Sequence, residues 1–283
     1  MSMILGTSLR ATRQRIWKLA SIQPTRKMHV TYLPMRWGYG DNYCYILTDD
    51  TTNKSWIIDP AFPKDIEHYL LNDNKSEITS IVNTHHHNDH SGGNKHLNAT
   101  LFKNLPVIAG KDSPCVSYTP SDGEVIQLGN DVEITAIHTP CHTQDSICYY
   151  AVDKKTKQKC VFTGDTLFIS GCGRFFEGDG KQMKSSLEKL MNLPDETVVY
   201  PGHEYTASNV NFSLSVLGSK NEALNELQNF CSKNEYTIGK STIGDEKAFN
   251  PFMRLDDPEV EKSTGLSDPI EIMDKLRAMK NSF

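Results

Sequence analysis

No apolar run in this chain reaches the ~18 residues a membrane-spanning helix needs, which excludes such a helix. Its seven cysteines include no Cys-x-x-Cys pair, and seven is odd. That excludes a closed disulfide framework and predicts free thiols in a reduced compartment. Internal repeats and low-complexity segments are also absent. Acid is missing from the whole N-terminal stretch: the first Asp or Glu is Asp41. Ahead of His29 stand six bases, Arg10, Arg13, Arg15, Lys18, Arg26 and Lys27. Without them the formal net charge falls from −5 to −11. Leu5, Leu9, Ile16 and Ala20 recur at helical spacing among the arginines. An acid-free, Arg- and Ser-containing amphipathic start resembles a mitochondrial transit peptide. No uninterrupted apolar core follows the bases, so a secretory signal is excluded. Residues 1–28 are therefore expected to be an address, cleaved to leave a protein of the mitochondrial matrix.

The remainder has the size and composition of a soluble globular protein with a sizeable core. At about 150 residues per domain, 283 residues predict one or two domains. A pI of about 6.1 argues against a general nucleic-acid binder. From residue 30 to 203 the pattern is strand-rich, with β-branched or aromatic runs at 43–47, 56–58, 78–83, 147–152, 160–162 and 197–200. Residues 125–128 and 132–137 flank Gly129-Asn130-Asp131 and predict a hairpin. Helical stretches at 64–71 and 181–191 interrupt the strands, predicting a two-layer sheet core with outer helices. After Gly202 only helices are expected, at 209–217, 222–233 and 270–280. A boundary near residue 203 follows.

The most informative stretch is Thr84-His85-His86-His87-Asn88-Asp89-His90, directly after an apolar strand. In an extended loop, residues two apart point the same way, so His85, His87 and Asp89 can converge. His90, at a helix start, turns back toward them. Neutral imidazole nitrogen and carboxylate oxygen suit Zn, Fe or Mn. His142, Asp165 and His203 each follow a predicted strand. Alone, each is a weak signal; strand ends gathered on one sheet edge are a common site location.

These residues and the words around them resemble glyoxalase II, the hydroxyacylglutathione hydrolases of the metallo-β-lactamase superfamily. The words are Thr84-His85-His86-His87, Thr139-Pro140-Cys141-His142-Thr143, Gly171-Cys172-Gly173-Arg174-Phe175-Phe176-Glu177-Gly178, Gly202-His203-Glu204-Tyr205-Thr206 and Asn250-Pro251-Phe252-Met253-Arg254. The resemblance runs from Met28 to Phe283 and, with the leader, points to a fungal mitochondrial member. It implies an α/β fold, an αβ/βα metallo-β-lactamase-type sandwich over residues 29–203, followed by a small all-α substrate-binding domain over 204–283. It implies two divalent metal ions, zinc first, with iron or manganese as alternatives. His85, His87 and His142 would hold one ion; Asp89, His90 and His203 the other; Asp165 would bridge both. Asp89 would share in catalysis with a bridging hydroxide that attacks the thioester of S-D-lactoylglutathione. The thiolate leaves without an obligatory strong acid, since a thiol has a pKa of about 8.5.

Arg277 and Lys280 lie three apart on the predicted last helix, where the family binds the glycine carboxylate of glutathione. Arg174, Phe176 and Tyr205 map onto further glutathione contacts. The chain departs from the family at three places: Arg174 stands where Lys is frequent, Phe176 where Tyr is frequent, and Asn88 where Trp is common. The partner is thus a small glutathione thioester, with no nucleic acid or membrane partner, acting on a monomeric enzyme. The competing reading is a mononuclear iron glutathione-persulfide dioxygenase, which would not need all seven ligands. A non-enzymatic metal-binding module is a third.

Overall fold

The structure is a computed structural model that describes residues 28–35 and 41–283. The basic leader ahead of Met28 lies outside the described residues. One sheet holds β1 (Met28–Met35), β2 (Asn42–Asp49), β3 (Lys54–Ile58), β4 (Glu77–Val82) and β5 (Val107–Ile108), side by side in that order. The first three strands are antiparallel and the last three parallel. Parallel neighbours need a crossover. It is supplied by α1 (Pro63–Asn72) before β4, and by α2 (Asn88–Ser91) and α3 (Asn94–Thr100) before β5.

The second sheet is built from β6 (Val125–Leu128), β7 (Val132–His138), β8 (Ile147–Asp153) and β9 (Lys159–Gly164). A small hairpin, β10 (Leu167–Phe168) with β11 (Gly171–Cys172), and helix α4 (Gly180–Met191) lead to its last strand, β12 (Val198–Pro201). The spatial order is β12-β9-β8-β7-β6, with β12 parallel to β9 and the others antiparallel. Consequently β7, β9 and β12 all run one way, and their C-terminal ends gather at one edge.

The inner faces of the two sheets share one core. Tyr45, Leu47, Trp56 and Ile58 meet Ile134, Ala136, Tyr149 and Phe162 across it. Along β7 every second residue, Val132, Ile134 and Ala136, is buried, as a period of two requires. Ile66 of α1 and Leu97 of α3 cover the outer face of the first sheet. Met183, Leu187 and Leu190 of α4 cover the second. Helix, sheet, sheet and helix therefore stack as the expected αβ/βα sandwich.

The rest of the chain is helical: α5 (Thr206–Leu217), α6 (Glu222–Cys231), α7 (Ile243–Phe249), a 3-10 turn Pro251–Met253, α8 (Pro258–Thr264) and α9 (Pro269–Asn281). Asp268 caps α9 by accepting from the N–H groups of Ile270 and Glu271, with Pro269 in the first turn. α3, α7 and α8, each only seven residues long, are too short to show periodicity in the sequence. The helices do not form a separate core. Phe212, Leu224, Phe252, Val260 and Met273 join Val161, Leu187 and Val199 in one apolar cluster on the second sheet's outer side.

Candidate metal centre

β4 emerges from the core at Val82, and the next residues carry the histidine cluster. Chain alternation sends His85 and His87 to one side and His86 to the other. His86 Nδ1 lies 2.8 Å from Asp145 Oδ1 and stays out of the centre. His87 caps the one-turn helix α2, which swings Asp89 and His90 back inward. His142, Asp165 and His203 arrive from just beyond the ends of β7, β9 and β12. Thus the first sheet supplies four of the predicted ligands and the second sheet three.

Among the described residues, ligand atoms converge within 4.8 Å in four groups: His85, His87 and His142; Asp89, His90 and His203; His85, His90 and Asp165; and, apart from these, His86, Asp112 and Asp145. His87 Nδ1 stands 3.1 Å from both His85 Nε2 and His142 Nε2. His90 Nε2 stands 3.2 Å from His203 Nε2. Asp165 faces both groups. Its Oδ2 lies 3.4 Å from His142 Nε2 and 3.4 Å from His203 Nε2. Its Oδ1 lies 3.3 Å from His90 Nε2 yet accepts no hydrogen bond, although buried.

The far side of each ring explains this crowding. His90 Nδ1 is 2.9 Å from Asp59 Oδ2, His142 Nδ1 is 2.9 Å from the Arg174 carbonyl, and His203 Nδ1 is 3.1 Å from Asp41 Oδ1. Each acceptor places the ring proton on Nδ1 and leaves Nε2 a bare lone pair. His90 and His203 then present two lone pairs to each other. Such a pair is repulsive unless a cation or a proton sits between. The donor set therefore fits divalent ions bound by nitrogen and oxygen.

The electrostatics agree. Burial holds His85 well below the usual imidazole range. Burial likewise lowers His87, helped by His142, and His142, where it outweighs Asp165. Those three are neutral and ready to coordinate. Burial also opposes charge on His90 and His203, but the Asp165 carboxylate overrides it. His90 is raised well above its usual value and His203 up to about 9. Asp165 is held well below the carboxylate range: burial works against this, and His203, His90 and His142 outweigh it. Cys141, beside His142, is buried, and burial pushes its thiol up to about 12. That makes it a poor nucleophile.

Close approach dictates a glycine at two positions. A side chain at Gly202 would meet Asp165 Oδ1 at 2.5 Å, and one at Gly173 would meet the Asp165 carbonyl at 1.9 Å and His142 Nδ1 at 2.9 Å.

A cavity of about 590 Å³ opens over the centre, lined by His87, Asp89, His142, Asp165 and His203 and also by Arg174, Phe176, Tyr205, Arg277 and Lys280. All five residues expected to contact glutathione thus face the space that the metal cluster faces. Phe176 is 61% exposed and edge-on to His87 and His142, free to meet a ligand. Tyr205 stacks on His203 with centroids 4.7 Å apart. Arg277 donates from Nη1 to the Cys172 carbonyl at 2.8 Å. Lys280 donates to Ser208 Oγ at 2.8 Å and its carbonyl at 3.1 Å.

Sequence reading missed Asp59, Asp41, Ser208 and Asn209, the last three also lining the cavity. Asp59 is central: its Oδ1 accepts from Thr84 N–H at 2.8 Å, and its Oδ2 accepts from Thr84 Oγ1 at 2.7 Å and faces His90. It does so in the left-handed region, at φ 52°. An acid closing the apolar run Trp56-Ile57-Ile58 was the one available signal.

Comparison with known proteins matches the same regions. The family described as hydroxyacylglutathione hydrolase C-terminus matches residues 204–283, and the metallo-beta-lactamase superfamily matches 37–114 and 102–203. The cytoplasmic isozyme of hydroxyacylglutathione hydrolase from Saccharomyces cerevisiae is 49% identical over 273 residues, covering 90% of this chain and 99% of that protein. The mitochondrial enzyme of the same yeast is 43% identical over 282 residues, covering 93% and 99%. In fold, the chain resembles a metallo-beta-lactamase from Staphylococcus aureus, with a TM-score of 0.61, 22% identity and coverage of 89% and 72%. It also resembles ETHE1 from Myxococcus xanthus, with a TM-score of 0.59, 24% identity and coverage of 89% and 99%. With near full-length coverage on both sides at such identity, the chain belongs to the hydroxyacylglutathione hydrolases of the metallo-β-lactamase superfamily.

Proposed function

We propose that this chain hydrolyses S-(2-hydroxyacyl)glutathione thioesters, typically S-D-lactoylglutathione to D-lactate and glutathione, in the catabolism of methylglyoxal. One observation carries the reading. A single cavity is lined by a convergent imidazole–carboxylate cluster and by Arg174, Arg277 and Lys280, three bases suited to the carboxylates of glutathione.

In this reading His85, His87 and His142 would hold one divalent ion and Asp89, His90 and His203 a second, with Asp165 facing both sets. Zinc is the ion we favour; iron or manganese suits the same donors. When bound, the ions supply Lewis acidity and hydroxide at neutral pH. Asp41, Asp59 and the Arg174 carbonyl orient the rings. Asp89, half-buried at the cavity wall, would share in catalysis with the hydroxide the ions supply. Arg277 and Lys280 anchor the glycine carboxylate, while Arg174, Phe176 and Tyr205 flank the peptide. Residues 29–203 then do the chemistry, 204–283 hold the thiol carrier, and the monomer suffices.

The deciding experiment is hydrolysis of S-D-lactoylglutathione with and without chelator. Chelator-sensitive thioester loss supports the reading. Absence of turnover, or oxygen uptake with a glutathione persulfide instead, would sink it. The matrix location rests on the leader, residues 1–28. Sequencing the N-terminus of the native protein tests it, and an intact Met1 would overturn it.

A further inference from the structure

Glu246 is fully buried at the fourth position of α7, far in sequence from every metal-centre residue. Its Oε2 accepts from Ser170 N–H at 2.8 Å and from Asn250 Nδ2 at 2.9 Å, and its Oε1 lies 2.5 Å from Ser241 Oγ. Asn250 Nδ2 also donates to the Gly171 carbonyl at 3.1 Å. From α5, Ser213 Oγ donates to the Ser170 carbonyl at 3.1 Å, and Asn209 Nδ2 to the Ile169 carbonyl at 3.1 Å. The segment between β10 and β11 is thus held by side chains of the C-terminal helices. Ser170, at its centre, sits in the left-handed region at φ 60°, a conformation that persists only when its surroundings over-determine it.

Four residues further on, the same segment reaches the metal centre. Gly173 lies against Asp165 and His142, and the Arg174 carbonyl takes the Nδ1 proton of His142. We propose that Glu246 is a positioning residue for the hydrolase: through Ser170 and Asn250 it fixes the Phe168–Arg174 segment, and that segment fixes the metal-facing orientation of His142. This rests on His142 being a metal ligand. Burial pushes the Glu246 carboxyl up to about 8, so it is mostly protonated at neutral pH. The neutral form suits the site. One oxygen accepts from the two fixed N–H donors while the other donates to the rotatable Ser241 hydroxyl.

That geometry gives the test. Gln in place of Glu246 reproduces the neutral pattern, its oxygen toward Ser170 and Asn250 and its amide toward Ser241. Ala leaves both N–H donors buried without an acceptor. Zinc affinity is measured on folded protein by competition with a chromophoric chelator, alongside kcat and KM. Glu246→Ala should weaken zinc retention about tenfold, within the range seen for outer partners of metal ligands. Glu246→Gln should stay within about twofold of the parent, since it keeps every bond. Should Glu246→Ala not fold, Ser241→Ala removes one of the three bonds and is read the same way, expecting a smaller weakening with the same sign. A variant with a lower Tm but unchanged zinc affinity and kcat would overturn the proposal, and so would a Gln variant as impaired as Ala. His142→Ala separates the two levels. If it keeps its zinc, the ligand assignment fails; if it loses zinc while Glu246→Ala does not, only the positioning role fails.

Discussion

Lys280 shows how one residue's surroundings set a measurable pH dependence. Burial, reinforced by Arg277, lowers its ammonium to about 8. An amine with a lowered pKa is charged below that value and neutral above it. If Lys280 anchors the glycine carboxylate as proposed, kcat/KM should fall as pH rises through about 8, and Lys280→Met should flatten that limb at a lower plateau. Replacing both Arg277 and Lys280 with Ala should raise KM far more than it lowers kcat; an unchanged KM would remove them from the site. Phe176→Tyr returns a phenolic hydroxyl beside the cavity. If it bonds glutathione, a gain of about 0.5–1.5 kcal/mol lowers KM between about twofold and tenfold. Steady-state kinetics decide it. At this scale the sequence was most legible where chemistry is local. The run His85 to His90 places its ligands by alternation and one helical turn. Asp59 and Asp41 were not legible, because an Asp shows its role only when a distant ring is folded against it.

At the scale of elements, the hairpin β10–β11 and its exit do more than connect. Gly173→Ala would drive a methyl group into the Asp165 carbonyl, 1.9 Å from the ideal Cβ, and backbone cannot yield as a flexible side chain can. Such a clash should cost about 1–3 kcal/mol or more. We expect a Tm lowered by several degrees, together with weaker metal retention; a variant normal in both would contradict the geometry. Strands were legible because β2, β7, β8 and β9 are long and β-branched. The two-residue strands β5, β10 and β11 were not, since two residues carry no period. α7 illustrates the same limit. Its capping box, Thr242 with Asp245, is a local signal, but its apolar face amounts to Ile243 and Phe249.

At the scale of the molecule, the change from strands to helices near residue 203 was legible in the sequence, yet not that the C-terminal helices share a core with the second sheet. Amphipathic stripes reveal which faces are apolar, not which partner covers them. Stability should follow metal content. Ions that bind only the folded chain stabilise it by about 2.7 kcal/mol at a hundredfold excess over Kd. Dialysis against chelator should therefore lower the Tm, and zinc should restore it; equal melting curves would place the ions elsewhere.

The seven residues proposed as ligands come from both sheets, and no sheet carries a full set. His85, His87, Asp89 and His90 precede β5, whereas His142, Asp165 and His203 follow β6. Each ion would therefore be a cross-link between halves of the chain that are otherwise joined by one connection, a shared apolar core and hydrogen bonds such as those from Tyr43 N–H to the Gly202 carbonyl and from Ile147 N–H to the Thr84 carbonyl. Cutting that connection, between Ile108 and Val125, would give two fragments with half a site each. Their reassociation would then depend on zinc, and the metal centre would act as the clasp of a split enzyme.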